Sequence, residues 1–393
     1  MCRVGHGRFV FCARSKINDF TGAVDLINRA FAILAAVTVC LCTTYVGVLR
    51  AQSPNPPGPL AEQVYKNIQV LKGKPADQVI PAMQFMTSSL GVRCEHCHVE
   101  GAFEKDDKKP KKTAREMMQM MFALNQNSFN GEREVTCYSC HRGALRPVGT
   151  PIVGAEISAS AKANESAAPP VQTADQILGK YQSAVGGSGA LDKISSEIQK
   201  GKLDLGHGVQ FPMEIFLKQP GMRSVVTHLP SGDGFETING QAGWTLVPGR
   251  PLRNMNQGDL QAASIDADLH LAAHLKSSFA DLKVRPDQQI EGRTVSVIQA
   301  RNPQLPPVEL YFDQQSGLLV RMVRYVDSPL GRNPTQIDYS DYRDVAGVRQ
   351  PFQWTVAQPQ GRYTVQLDKI AVNAPVEEAR FAKPAVPPGA SQH

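Results

Sequence analysis

Cys94-Glu95-His96-Cys97-His98 and Cys137-Tyr138-Ser139-Cys140-His141 repeat one pattern, two cysteines three apart with a histidine directly behind the second. C-x-x-C-H is the attachment motif of c-type haem. The two thiols bond the porphyrin vinyl groups, and the neighbouring histidine gives a nitrogen to the iron. Nine His among 393 residues would place one behind any given C-x-x-C about 2% of the time; here it happens twice. A structural zinc site would set its two cysteine pairs about 15–20 residues apart, and Cys97 is much further than that from Cys137. The pattern reads as two covalently attached c-type haems. Cys94, Cys97, Cys137 and Cys140 are the thioether cysteines, and His98 and His141 are iron ligands.

Each motif follows a segment with helix signals. From Asp77 to Leu90, Asp77 reads as the N-cap, Pro81 falls in the first turn where its missing N–H costs nothing, and Gly91 suits the stop. Thr113-Ala114-Arg115-Glu116 reads as a capping box ahead of the apolar series Met117, Met120, Met121, Leu124. A methionine sulfur can supply the sixth iron ligand. Met83 and Met117 each lie on a helix that turns back into its own C-x-x-C-H, with Met86 and Met120 as alternatives. Methionine at helical spacing also fills cores, so position alone leaves the choice open.

Ala114-Arg115-Glu116-Met117-Met118-Gln119-Met120, followed by Val135-Thr136-Cys137-Tyr138-Ser139-Cys140-His141-Arg142-Gly143, resembles the cytochrome c subunit of bacterial photosynthetic reaction centres. The resemblance covers under a quarter of the chain. In that family a methionine-bearing helix precedes each C-x-x-C-H, and the first methionine after the helix's basic residues binds the iron. The resemblance therefore implies Met117 and, in the first unit, Met83 as axial ligands. The family typically carries four haems, whereas this chain has two motifs and no histidine in the loop before the second, where Phe129 stands. The implied protein is a dihaem, truncated form that transfers electrons.

Glu104-Lys105-Asp106-Asp107-Lys108-Lys109-Pro110-Lys111-Lys112 lies between the motifs. It reads as a solvated loop, or as a basic surface that steers an acidic redox partner toward the first haem.

Arg29 precedes an apolar run from Phe31 to about Leu49, and Arg50-Ala51-Gln52-Ser53 leads into a Pro-rich stretch. Residues 1–51 read as a signal peptide cleaved after Ala51, or as a retained anchor that would tie the protein to a membrane. Both place the domains outside the cytoplasm, in the periplasm or its equivalent. Four of the eight cysteines precede residue 43, so cleavage would leave only haem-bound cysteines, as suits an oxidising space. The net charge of +6 gives no argument for nucleic acid.

The expected architecture is multidomain: a mainly α-helical c-type dihaem domain over 58–149, a flexible linker over 150–172, and an antiparallel β-rich α+β domain with a curved sheet over 173–385. The linker is Ala-, Ser-, Pro- and Glu-rich and has no hydrophobic period. A helix starts near Ala174 and ends at Gly186-Gly187. Beyond it Met213, Ile215 and Leu217 alternate with Glu214, Phe216 and Lys218. Val308 to Phe312 and Leu318 to Tyr325 flank a turn, and Tyr363, Val365 and Leu367 alternate with Thr364, Gln366 and Asp368. One helix, about Asp259 to Leu275, interrupts the strands. This order loosely resembles lipoprotein-carrier domains, which implies an apolar groove for a lipid or quinone; a structural or docking module is the plainer reading. His270 and His274 stand four apart without the acidic residue of a metalloprotease motif, and read as ordinary histidines.

The functional reading is an extracytoplasmic electron carrier working between redox protein partners, more a carrier than a catalyst. The alternatives are a haem enzyme such as a dihaem peroxidase, with one iron open to substrate, and a haem-linked lipid- or quinone-binding sensor.

Overall fold

The computed structural model describes residues 58–147, 172–359 and 361–384. The expected signal or anchor over 1–51 and most of the expected linker lie outside the described residues. Among those described, no helix is long and apolar enough to cross a membrane.

Helix α1, Val79–Leu90, is entered through a 3₁₀ turn at Ala76–Gln78. Asp77 lies inside that turn, so it does not cap the helix as expected; Gln78 holds the cap position. Pro81 does sit in the first turn. Gly91 ends the helix in the left-handed conformation at φ 64°, and a Cβ there would meet the Gly143 carbonyl oxygen at 2.1 Å. Glycine is thus required twice, for its backbone angle and for the approach of the turn behind the second motif.

Helix α2 spans Lys109–Ser128, so the capping box expected at Thr113–Glu116 is corrected: Lys108, five residues before Thr113, holds the cap position. Pro110 sits in the first turn, where its fixed φ favours helix and its missing N–H leaves nothing unpaired. Helix α3 is the second motif itself, Cys137–His141, capped by Thr136 with a reciprocal Ser139. Leu71, Ala82, Met86, Met118 and Met121 are buried together in the core of this region, and Leu330 from far along the chain joins them.

Helix α4, Ala174–Ala184, opens on a true capping box: Thr173 Oγ1 accepts from the Gln176 N–H, and Gln176 Oε1 accepts from the Thr173 N–H at 2.8 Å. Then come strands β1 (Ser196–Asp204), β2 (Gln210–Lys218), β3 (Met222–Leu229), β4 (Gly232–Asn239), β5 (Gly243–Leu246) and β6 (Arg253–Asn254). After helices α5 (Gln257–Asp266) and α6 (Leu271–Ser278) follow β7 (Asp281–Ile290), β8 (Arg293–Asn302), β9 (Leu305–Asp313), β10 (Leu319–Ser328), β11 (Gly331–Val345), β12 (Val348–Gln358) and β13 (Gly361–Val372).

The strands make one open, curved antiparallel sheet in the order β6-β5-β4-β3-β2-β1-β13-β12-β11-β10-β9-β8-β7. The chain walks out from β1 to one edge, crosses by α5 and α6 to the other edge, and walks back until β13 pairs with β1. Bulges at Lys200/Gly201, Arg285/Gln288 and Ala300/Asn302 bend the strands. Ile177, Leu178 and Tyr181 of α4 bury against Ile298, Leu310 and Phe312 of the sheet.

The single helix expected from Asp259 to Leu275 is two helices. Asn256 caps α5, its side chain accepting from the Asp259 N–H. Asp268 breaks the run: its carboxylate accepts the His270 N–H at 2.9 Å and pairs with His274 Nδ1 at 2.8 Å, a local bond that competes with helix.

The β10–β11 hairpin reaches the helical region. Leu330 is fully buried; Gly331 lies so close to the Phe85 ring that a Cβ would overlap it. Arg133, between α2 and α3, pairs with Asp327 at 2.6 Å and donates to the Ser328 carbonyl.

Candidate haem sites

In the first motif a single turn at Cys94–His96 carries the pattern, with the Cys97 and His98 N–H groups both donating to the Cys94 carbonyl at 3.2 and 3.0 Å. In the second, α3 does the same work. Residues three and four apart lie on one side of a helical turn, so each motif gathers two thiols and one imidazole on one side.

Both imidazoles are held by the same nitrogen. His98 Nδ1 lies 2.9 Å from the Phe103 carbonyl oxygen, and His141 Nδ1 lies 3.0 Å from that of Ala144. A carbonyl only accepts, so each Nδ1 carries the proton and donates, leaving the Nε2 lone pair available. No described residue bonds either Nε2. The four thiols are free, Cys94 and Cys140 exposed, Cys97 and Cys137 half-buried. Burial pushes the Cys97 thiol up in spite of Lys108, and pushes the Cys137 thiol up likewise.

The methionines divide by burial. Met86, Met118 and Met121 pack in the core, and Met83 packs against the same cluster. Met83 is half-buried, while Met117 and Met120 are 41% and 55% exposed. Phe103, Leu124, Tyr138 and Leu145 are exposed large apolar side chains of the same region. Apolar side chains open around paired thiols and an available imidazole nitrogen fit a porphyrin, which is a flat apolar group bound by thioethers and axial ligands.

Local reading of the sequence missed three supports. Asn125, 5% exposed near the end of α2, donates to the Val135 carbonyl at 2.7 Å and accepts the Val135 N–H at 2.9 Å, pinning the strand of chain that enters the second motif. The Gly143 N–H donates to the Ser89 carbonyl at 2.9 Å, tying the second motif to the end of α1. Lys111 is buried, not part of an exposed lysine surface as the run of charge implied: its Nζ donates to the Phe103 and Lys105 carbonyls and lies 3.0 Å from Asp106. Arg115 holds the other Asp106 oxygen at 2.8 Å, and these two cations, Arg115 first, hold the Asp106 carboxyl well below the usual range. A buried asparagine near a helix end was the only one of these signals visible in sequence.

In the sheet domain, His270 Nε2 bonds the Ile194 carbonyl at 2.7 Å and His274 pairs with Asp268. Both histidines have ordinary partners. A cavity of about 670 Å³ lies over the sheet, bordered by Met213, Ile215, Leu217, Trp354, Tyr363 and the buried Glu197.

Residues 43–182 match the family model described as photosynthetic reaction centre cytochrome C subunit. The photosynthetic reaction center cytochrome c subunit of Thermochromatium tepidum is 37% identical over 90 residues, 22% of this chain and 22% of that protein. Cytochrome c-554 of Chloroflexus aurantiacus is 33% identical over 85 residues, 20% of each. The chain thus spans about a fifth of the length of these curated relatives. Among solved structures, a LolA superfamily protein from Nitrosomonas europaea covers 54% of this chain and 99% of its own, with a TM-score of 0.38 and 13% identity. That likeness is too loose to bear on function. Residues 43–182 therefore match the photosynthetic reaction centre cytochrome c subunit family, and that family implies covalently bound c-type haem.

Proposed function

We propose that the chain is an extracytoplasmic dihaem c-type cytochrome that passes single electrons between redox protein partners. The observation that carries this reading is the matched state of His98 and His141: each donates from Nδ1 to a backbone carbonyl and keeps Nε2 available. When bound, a c-type haem supplies a ferric/ferrous couple. Cys94 and Cys97 would hold one haem, and Cys137 and Cys140 the other, through thioethers. His98 and His141 would each give the iron a nitrogen.

Met83 and Met117 would each give the iron a thioether sulfur, a ligand that favours the reduced state. Iron so held by protein ligands would leave substrate no place to bind, which favours the carrier over the peroxidase. Met117 lies open on α2, where a helix face not used by the core can cover a haem.

Lys109 and Lys112 are exposed at the start of α2, and we assign to them the encounter with an acidic partner. Residues 1–51 serve as signal or anchor, and 150–172 as a tether between the haem and sheet domains. The cavity over the sheet suits an apolar ligand such as an acyl chain or a quinone.

The test is haem counting on protein matured with its haem, by intact mass and haemochrome absorbance. Two haems are expected, with one lost in the pair Cys94→Ser, Cys97→Ser and the other in Cys137→Ser, Cys140→Ser. A single haem in the unaltered protein would contradict the reading.

A further inference from the structure

We propose that Lys111 tunes the first haem through His98, raising its potential relative to the second. The inference rests on the reading of His98 as an iron ligand. It comes from one oxygen atom. The Phe103 carbonyl accepts from His98 Nδ1 at 2.9 Å and from the Lys111 ammonium at 2.9 Å, so the cation stands two hydrogen-bond lengths from the imidazole.

Lys111 is not a solvated surface charge. It is 8% exposed, its second bond goes to the Lys105 carbonyl at 2.7 Å, and it faces Asp106 at 3.0 Å. Asp106 is shared with Arg115, which leaves this group of three with a surplus positive charge. Screening by water is weak for a buried ammonium, and a positive charge near the imidazole opposes the extra positive charge of the oxidised iron. The ferrous state is favoured.

The second unit lacks this arrangement. Among the described residues no cationic side chain bonds the Ala144 carbonyl that holds His141. At the carbonyl that holds the histidine, the first site therefore has a buried cation that the second lacks, and that difference biases a shared electron toward the first haem. Lys111 acts through His98 and the Phe103 carbonyl, so it is a positioning residue.

The test is a spectroelectrochemical titration of the haem-loaded full chain and its Lys111→Met, Lys111→Gln and Lys111→Arg variants. Met matches the volume without charge, Gln keeps a donor without charge, and Arg keeps the charge. We expect Met and Gln to move the electron-sharing equilibrium between the haems about tenfold toward the second, which is about 59 mV for a one-electron couple. Arg is expected to restore the original value. Wild-type potentials in Lys111→Gln, or equal shifts of both haems, would overturn the proposal. So would loss of the first haem's low-spin spectrum in all three variants, since Lys111 would then be purely structural. A separate control keeps the underlying reading distinct: an unchanged low-spin first haem in His98→Ala would refute His98 as ligand.

Discussion

The side-chain amide of Asn333 donates to the Pro81 carbonyl at 2.8 Å, so a strand deep in the β-sheet domain grips the first turn of the helix that carries Met83. Asn333 is itself buried, and Leu330 and Gly331 beside it press on the same helix. The hairpin that bears them thereby supplies part of the core of the helical region.

Leu330→Ala should destabilise the protein by about 2–5 kcal/mol, the range for deleting a fully buried leucine side chain. Chemical denaturation of the haem-loaded chain measures this. A change below about 0.5 kcal/mol, the size of an ordinary surface substitution, would mean that the hairpin contact contributes nothing.

Charge reversal at the start of α2 should slow electron transfer to an acidic partner only while salt is low. In Lys109→Glu with Lys112→Glu the association rate is expected to fall, and the difference from wild type to close as ionic strength rises and the Debye length shrinks to a few ångströms. Lys111 and Lys108 are left alone, because both bond backbone carbonyls. A difference that persists unchanged at high salt would rule out electrostatic steering.

What the sequence disclosed was local. Five-residue motifs carry the haem chemistry in their spacing, and Gly91 announces a helix end because few other residues take its backbone angle. The β alternation at Met213, Ile215 and Leu217 was readable because all three share one buried face. Phe216 was not: it is buried too, on the opposite face, against Val226, Val376 and Phe381. A covered second face comes from the chain end, which no local period reveals. The start of α2 was misplaced because its anchors, the Phe103 and Lys105 carbonyls, lie outside the helix. Leu330 and Asn333 were invisible for the same reason, their partners being some 250 residues away in the chain.

Glu197→Gln should stabilise the protein at neutral pH. Glu197 is 3% exposed, and burial raises its carboxyl pKa despite hydrogen bonds from Gln199 and Gln350. A folded-state pKa above the unfolded value gives stability that is complete below the unfolded value, about 4.3, and lost as pH rises through the folded one. Melting temperatures of variant and wild type should therefore converge near pH 4 and separate, with the variant higher, toward pH 8. A gain that is flat with pH would contradict the assignment of an ionised, buried carboxylate.

The most direct test of the central claim is the long-wavelength absorbance of the oxidised, haem-loaded protein, where methionine bound to ferric haem gives a charge-transfer band. The account predicts a band of two-haem intensity that halves in Met83→Ala, halves in Met117→Ala and vanishes in the double variant, with no rapid carbon monoxide binding to the reduced wild type. A high-spin spectrum, or carbon monoxide bound at once by the unaltered protein, would show an open iron and contradict the electron-carrier reading.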